Sequence, residues 1–217
     1  MAVELDVGQP LLLVPGGGVG STEPPKSGGA GFAGAGAGKT EIVGDSADRR
    51  VEILCDKEQL VVTWTRFGPH RDGASPHIHR THSDLFFVLG GELTFFVGPE
   101  AEERVLPAGT LALAPPLLVH GFRNSGDGEL RYLNFHAPSG GFADYLRGRN
   151  PDFDQWEPPE DGGLPLTEAI VVPPGTDGVL IDRDEIRIEV RDEPGQASGR
   201  LTCLYALEDG RFLEIRA

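Results

Sequence analysis

The stretch Pro76–Gly91, P-H-I-H-R-T-H-S-D-L-F-F-V-L-G-G, constrains this chain more than any other. His77 and His79 stand two apart, so on extended backbone both imidazoles point to one face. Asp84 follows five residues after His79, and Leu85–Leu89 supplies the β-branched and aromatic side chains of a buried strand. A further histidine, His120, stands in P-P-L-L-V-H-G-F-R-N. Imidazoles and a carboxylate on neighbouring strand surfaces are a donor set for a divalent transition metal.

The two segments resemble the paired motifs of the cupin superfamily. Gly73, His77, His79, Asp84 and Gly91 take the places of the first motif, with Gly73 two residues closer to the histidines than is usual. Gly109, Pro115, Leu117, His120 and Asn124 take those of the second. Asp84 stands for the usual Glu, one methylene shorter. Leu117 stands for the usual turn glycine, which predicts a turn built differently. The resemblance covers residues 45–139 and implies an all-β, cupin-type double-stranded β-helix barrel (a jelly roll) with extra N- and C-terminal strands.

The rest of the chain agrees with many short strands. Gly 31 and Pro 18 favour turns over helices. Val51–Cys55, Leu60–Phe67, Leu85–Leu89, Glu92–Val97, Leu111–Ala114, His120–Arg123 and Leu130–His136 all read as strands. Gly90-Gly91 between two of them reads as a hairpin turn. Gly141–Arg147 is the one convincing helical turn. Three segments follow: a glycine-rich arm over 1–44, the barrel over 45–139, and a tail over 140–217. The tail holds the short helix, an acidic proline-bearing linker at 151–161 and further strands. Those strands echo the front of the chain. They form either a truncated second repeat that lends strands to the barrel or a partner, or strand pairs that merely look alike.

A net charge of −15 sets the chain against nucleic acid and anionic membranes. Gly38-Lys39-Thr40 lacks the glycine that a phosphate loop needs five residues earlier, where Ala33 stands. Two distant cysteines, Cys55 and Cys203, imply small apolar packing groups rather than a disulfide scaffold. With no basic leader and no apolar run of membrane length, a cytoplasmic protein is expected.

Three imidazoles and a carboxylate leave two positions open on an octahedral ion such as iron, manganese or nickel, and zinc fits the same cage. The expected metal ligands are His77, His79, Asp84 and His120, with Asp84 alternatively a hydrogen-bond partner of a ligand. Asp84 and His82 are the candidate proton carriers, although His82, three residues past His79, is expected to face solvent. Phe86, Val88, Phe122, Tyr132 and His136 are the candidate substrate-facing residues, with Phe86 and Phe122 serving the core as well. Similarity to quercetin-dioxygenase-like cupins implies metal-dependent oxidation of a small organic substrate. Isomerase or cyclase chemistry fits the same fold, as does a barrel that binds a small ligand and catalyses nothing. Family habit and exposed strand edges imply a homodimer.

Overall fold

Strand-forming runs separated by Gly, Pro and Asp turns fold as their patterns require. The computed structural model describes residues 10–13, 40–193 and 201–217. The glycine-rich run at 28–38 and the Gly38-Lys39 pair lie outside the described residues. The strands in chain order are β1 (Pro10–Leu13), β2 (Glu41–Asp45), β3 (Arg49–Lys57), β4 (Leu60–Phe67), β5 (Ser83–Gly90), β6 (Glu92–Val97), β7 (Glu102–Pro107) and β8 (Leu111–Ala114). They continue with β9 (His120–Arg123), β10 (Leu130–Ala137), β11 (Ile170–Val172), β12 (Gly178–Asp182), β13 (Arg187–Arg191), β14 (Thr202–Ala206) and β15 (Phe212–Arg216). One short helix, α1 (Phe142–Leu146), follows β10.

The chain divides into two compact units. The larger, Ile42–Gly175, carries a seven-stranded antiparallel sheet in the order β11-β8-β5-β10-β4-β3-β2 and a three-stranded sheet in the order β7-β6-β9. Their inner faces close on one core. Phe86, Val88, Ala112, Ala114, Leu130 and Tyr132 come from the first sheet; Leu93, Phe95, Val97 and Leu106 come from the second. Period-two alternation explains why: β5 sends Phe86 and Val88 inward with Asp84. The smaller unit is built on the sheet β1-β14-β15-β13-β12, with Ile186, Ile188, Leu213 and Ile215 buried. Cys55 and Cys203 are both buried.

Two local expectations change. The hairpin predicted at Gly90-Gly91 does not form: β5 pairs with β10 and β8, whereas β6 pairs with β7 and β9. The chain instead crosses from one sheet to the other. Gly91 makes the crossing with φ +75, and a Cβ there would stand 2.3 Å from the Glu129 carbonyl oxygen. The second change concerns Leu117. Its turn is not rebuilt around the missing glycine; Leu117 itself adopts φ 69, the left-handed conformation that glycine favours. The turn is held by Leu117 N–H donating to the His79 carbonyl (2.7 Å) and by the Leu117 carbonyl accepting from Leu164 N–H (3.1 Å).

Leu117 is 44% exposed, so its side chain returns little for that backbone cost. A left-handed non-glycine residue costs roughly 1–2 kcal/mol, and glycine's extra freedom in the unfolded chain takes back roughly half to one of them. Leu117→Gly is therefore expected to match or exceed the parent in stability by up to about 1 kcal/mol, read from urea unfolding. A clear loss of stability would show that the leucine side chain has a packing role.

Candidate metal centre

His77 and His79 lie just outside the regular strands, yet their backbone is held extended. His77 N–H donates to the His120 carbonyl (2.8 Å) and His120 N–H returns to the His77 carbonyl (2.9 Å). Ile78 exchanges a similar pair with Trp156. Thus two segments some forty residues apart meet as a short antiparallel ladder. Asp84 arrives beside them from the start of β5. One ligand atom from each of His77, His79, Asp84 and His120 lies within 4.8 Å of all the others, and all four residues are buried.

The hydrogen bonds on the outer ring nitrogens decide what the inner ones offer. His77 Nδ1 contacts the Ser75 carbonyl at 2.7 Å, His120 Nδ1 contacts the Leu118 carbonyl at 2.9 Å, and His79 Nδ1 contacts the Asp154 carbonyl. A carbonyl only accepts, so each Nδ1 carries the proton and each Nε2 presents a lone pair. His77 Nε2 and His79 Nε2 then face each other at 3.3 Å with no proton between them. His120 Nε2 faces Asp84 Oδ2 at 3.3 Å and His79 Nε2 faces it at 3.7 Å. Four electron-rich atoms aimed at one buried point are mutually repulsive unless a cation stands among them. The donor set therefore fits a transition-metal ion.

Asp84 is tied through Oδ1, which leaves Oδ2 toward the imidazole nitrogens. Asn134 Nδ2 donates to its Oδ1 and to the Leu85 carbonyl, while Asn134 Oδ1 lies 3.2 Å from His136 Nε2 and accepts its proton. This chain from His136 through Asn134 to Asp84 runs across paired strands, because β10 is register-matched to both β4 and β5. Burial alone would raise the Asp84 carboxyl, but the pull of His136, His120 and His79 holds it well below the ordinary carboxylate range. Outer partners of this kind set ligand direction, and their loss typically costs 10- to 100-fold in metal affinity. Asn134→Ala is expected to weaken zinc binding within about that range while leaving one site per chain, measured by competition with a chromophoric chelator. Unchanged affinity would show that Asp84 holds its direction without Asn134.

His82 does not face solvent. It is 1% exposed and stacks on His79 with ring centroids 4.2 Å apart. Its Nδ1 lies 3.5 Å from Asp154 Oδ2 without forming a hydrogen bond, and both its ring nitrogens lack a hydrogen-bond partner. That carboxylate oxygen already accepts from Arg80 N–H, Thr81 N–H and the Thr81 hydroxyl. His79, His82 and His136 also fall within ligand distance of one another. His79 has both nitrogens committed, however, so this second set retains only two free donors. One ion per barrel is the arrangement the geometry supports.

Burial presses these imidazoles toward the neutral form. His77 is pushed down to about 3, by burial first and then by His120 and His79; His82 is pushed down to about 4, by burial first and then by His79. His136 is lowered as well, by burial. Against an ordinary value of 6.5, the unfolded chain binds more protons than the folded one between about 6.5 and about 4. Stability of the metal-stripped protein is thus full above about 6.5 and falls as the pH drops through that window. Urea unfolding across a pH series checks this; a flat profile from 7 to 4 would show that the buried imidazoles take up protons without cost.

A cavity of about 400 Å³ opens onto the cluster. Of the candidate substrate-facing residues, Phe122, Tyr132 and His136 line it; Phe86 and Val88 are fully buried in the core and are not among its lining residues. Among the candidate proton carriers, Asp84 reaches the cavity wall, whereas His82 sits behind His79. Tyr132 stands opposite Thr65 on the neighbouring strand, and burial raises its phenol, so it remains a donor rather than a phenolate. His136 is 2% exposed, stacked on Phe142 at 3.7 Å. Asp154 was not visible as a site residue: it lies 75 positions from His79 in the acidic 151–161 segment, where nothing local marks it.

Residues 63–136 match the family model described as Cupin domain. The larger unit has a cupin-type jelly-roll fold. Similar solved structures include an RmlC-like cupin from Shewanella frigidimarina, 25% identical over 46% of this chain and 85% of that one, with a TM-score of 0.40. A sugar phosphate isomerase of the cupin superfamily from Silicibacter pomeroyi is 22% identical over 42% of this chain and 60% of that one, TM-score 0.38. A putative glyoxylate-induced protein from Pseudomonas aeruginosa is 13% identical over 78% of this chain and 73% of that one, TM-score 0.49. No curated protein matches this chain. None of the helices among the described residues is long and apolar enough to cross a membrane.

Proposed function

We propose that this cupin holds one divalent transition-metal ion on His77, His79, Asp84 and His120 and acts on a small organic substrate in the adjoining cavity. The observation that carries the reading is the convergence of three bare Nε2 atoms and a carboxylate oxygen within 4.8 Å, each imidazole locked by a backbone carbonyl. Bound there, the metal would supply Lewis acidity or, if redox-active, a place for dioxygen beside substrate. The protein's own part is to orient and to exclude water. Phe67, Phe122, Phe142 and Phe153 wall the cavity, and Thr63, Thr65, Tyr132 and Gln155 set polar groups into it.

Oxidation of the dioxygenase type is the first chemistry we assign, because a four-donor set leaves room for two exogenous ligands on a six-coordinate ion. Asp84, with Oδ1 held by Asn134 and Oδ2 turned toward the bare imidazole nitrogens, serves better as ligand than as proton acceptor. His136, on the cavity wall with an unpartnered Nδ1, is the better placed proton acceptor. Metal analysis of protein purified without chelator or tag-derived nickel tests the ligand set. Oxygen uptake with a flavonol or a diketone then tests the chemistry. A redox-active metal with substrate-dependent uptake supports the oxidase reading. A zinc-filled site with no uptake moves the assignment to isomerase or cyclase chemistry, and a protein that takes up no metal overturns the metal reading.

A further inference from the structure

The floor of the cavity is a ladder of paired rows. Asp84 and His136 form the row at the metal cluster; Asn134 and Thr63 the next; Tyr132, Thr65 and Val51 the third; Phe67 and Arg49 the fourth. Arg49 lines the cavity and is partly buried, and its charge acts on the Tyr132 hydroxyl. Its neighbours are neutralised: Arg50 pairs with Asp45 and Glu52, Arg66 with Glu129, Arg71 with Asp48. Among the described residues Arg49 has no carboxylate partner. In a chain with Asp+Glu 34 against Lys+Arg 19, a half-buried arginine left unpaired on a cavity wall needs a reason. A ligand that fills the cavity would strip water from the guanidinium, which is costly without an anion, and its planar fork matches a carboxylate.

We infer that Arg49 receives the carboxylate of an organic acid whose other end lies toward the metal cluster. The substrate class is thus an acid with an apolar or aromatic middle, spanning the phenylalanine-walled part of the cavity. Arg71 also lines the cavity but is already paired with Asp48, so one unpaired guanidinium remains, which suits one negative charge better than the two of a phosphate. The inference deepens the proposed function above, and it rests on that reading only for the position of the metal end.

The test uses the full chain after chelator treatment and dialysis, so that no metal competes for the carboxylate. Phenylpropanoate and phenylbutanoate are titrated calorimetrically against their neutral primary amides. The acids are expected to bind at least about tenfold more tightly than the amides, the scale of one charge-assisted pair. Arg49→Gln should abolish that preference, Arg49→Lys should keep part of it, and Arg50→Gln, whose partners lie elsewhere, should keep it whole. Thermal melts confirm that each variant is folded. Amides that bind as well as acids, acids that do not bind, a preference that survives Arg49→Gln, or tighter binding of phenyl phosphate would each overturn the inference. Zinc titration of the same stripped protein reports separately: absent zinc uptake with an intact acid preference would sink the metal reading and leave Arg49 in place.

Discussion

His120→Ala is expected to purify with almost no metal and to take up zinc far more weakly than the parent. The loss should exceed the 10- to 100-fold that removal of an outer partner costs. His120 is 0% exposed, and its Nε2 is one of the two imidazole nitrogens that face Asp84 Oδ2. Its backbone is a separate matter. The bonds that join residue 120 to His77 are main-chain bonds, so an alanine can keep the ladder that brings the two segments together. The variant should therefore fold, by circular dichroism, while the site is left with two imidazoles. His77→Ala should behave in the same way, because His77 makes the reciprocal half of that ladder. Variants that bind zinc as tightly as the parent, with one ion per chain, would mean that the ion sits elsewhere.

Much of this centre was legible because its spacing is a backbone property. Two histidines two apart must share a face on extended chain, and a run such as Leu85–Leu89 must be a buried strand. What was not legible depends on contacts between distant segments. The carbonyls of Ser75, Leu118 and Asp154 choose the tautomers, yet a carbonyl has no signature in sequence. Asp154 anchors the 79–81 turn through its side chain and His79 through its carbonyl, from a segment whose prolines and acids read as a linker. The offset of His82 from His79 predicts a ring facing solvent, but the chain turns between them and buries it. Gly90-Gly91 carried a hairpin pattern, and only the pairing of β5 with β8 and β10 reveals a crossing between sheets. Leu117 shows the limit from the other side, since backbone bonds to His79 and Leu164 impose a conformation its own chemistry disfavours.

Phe86→Ala should produce the largest loss of stability among single changes near the site, about 3–5 kcal/mol. Phe86 is 0% exposed, and its ring packs against Phe122 at 4.9 Å, Phe95 at 5.6 Å and Tyr132 at 6.0 Å between centroids. It bridges the two sheets, because Phe95 and Phe122 belong to the three-stranded sheet and Tyr132 to the seven-stranded one. Deleting the ring removes apolar burial and leaves a void that stiff strands on both sides cannot close. The metal should feel this much less. Asp84 is two residues away with its direction set by Asn134, whose bonds to Asp84 and to the Leu85 carbonyl do not involve the Phe86 ring. The expected signature is therefore a split: a urea midpoint shifted far downward, with zinc affinity in the folded protein changed by less than it is in Asn134→Ala. The opposite split, with stability retained and zinc affinity lost, would make Phe86 a wall of the site rather than the keystone of the core beneath it.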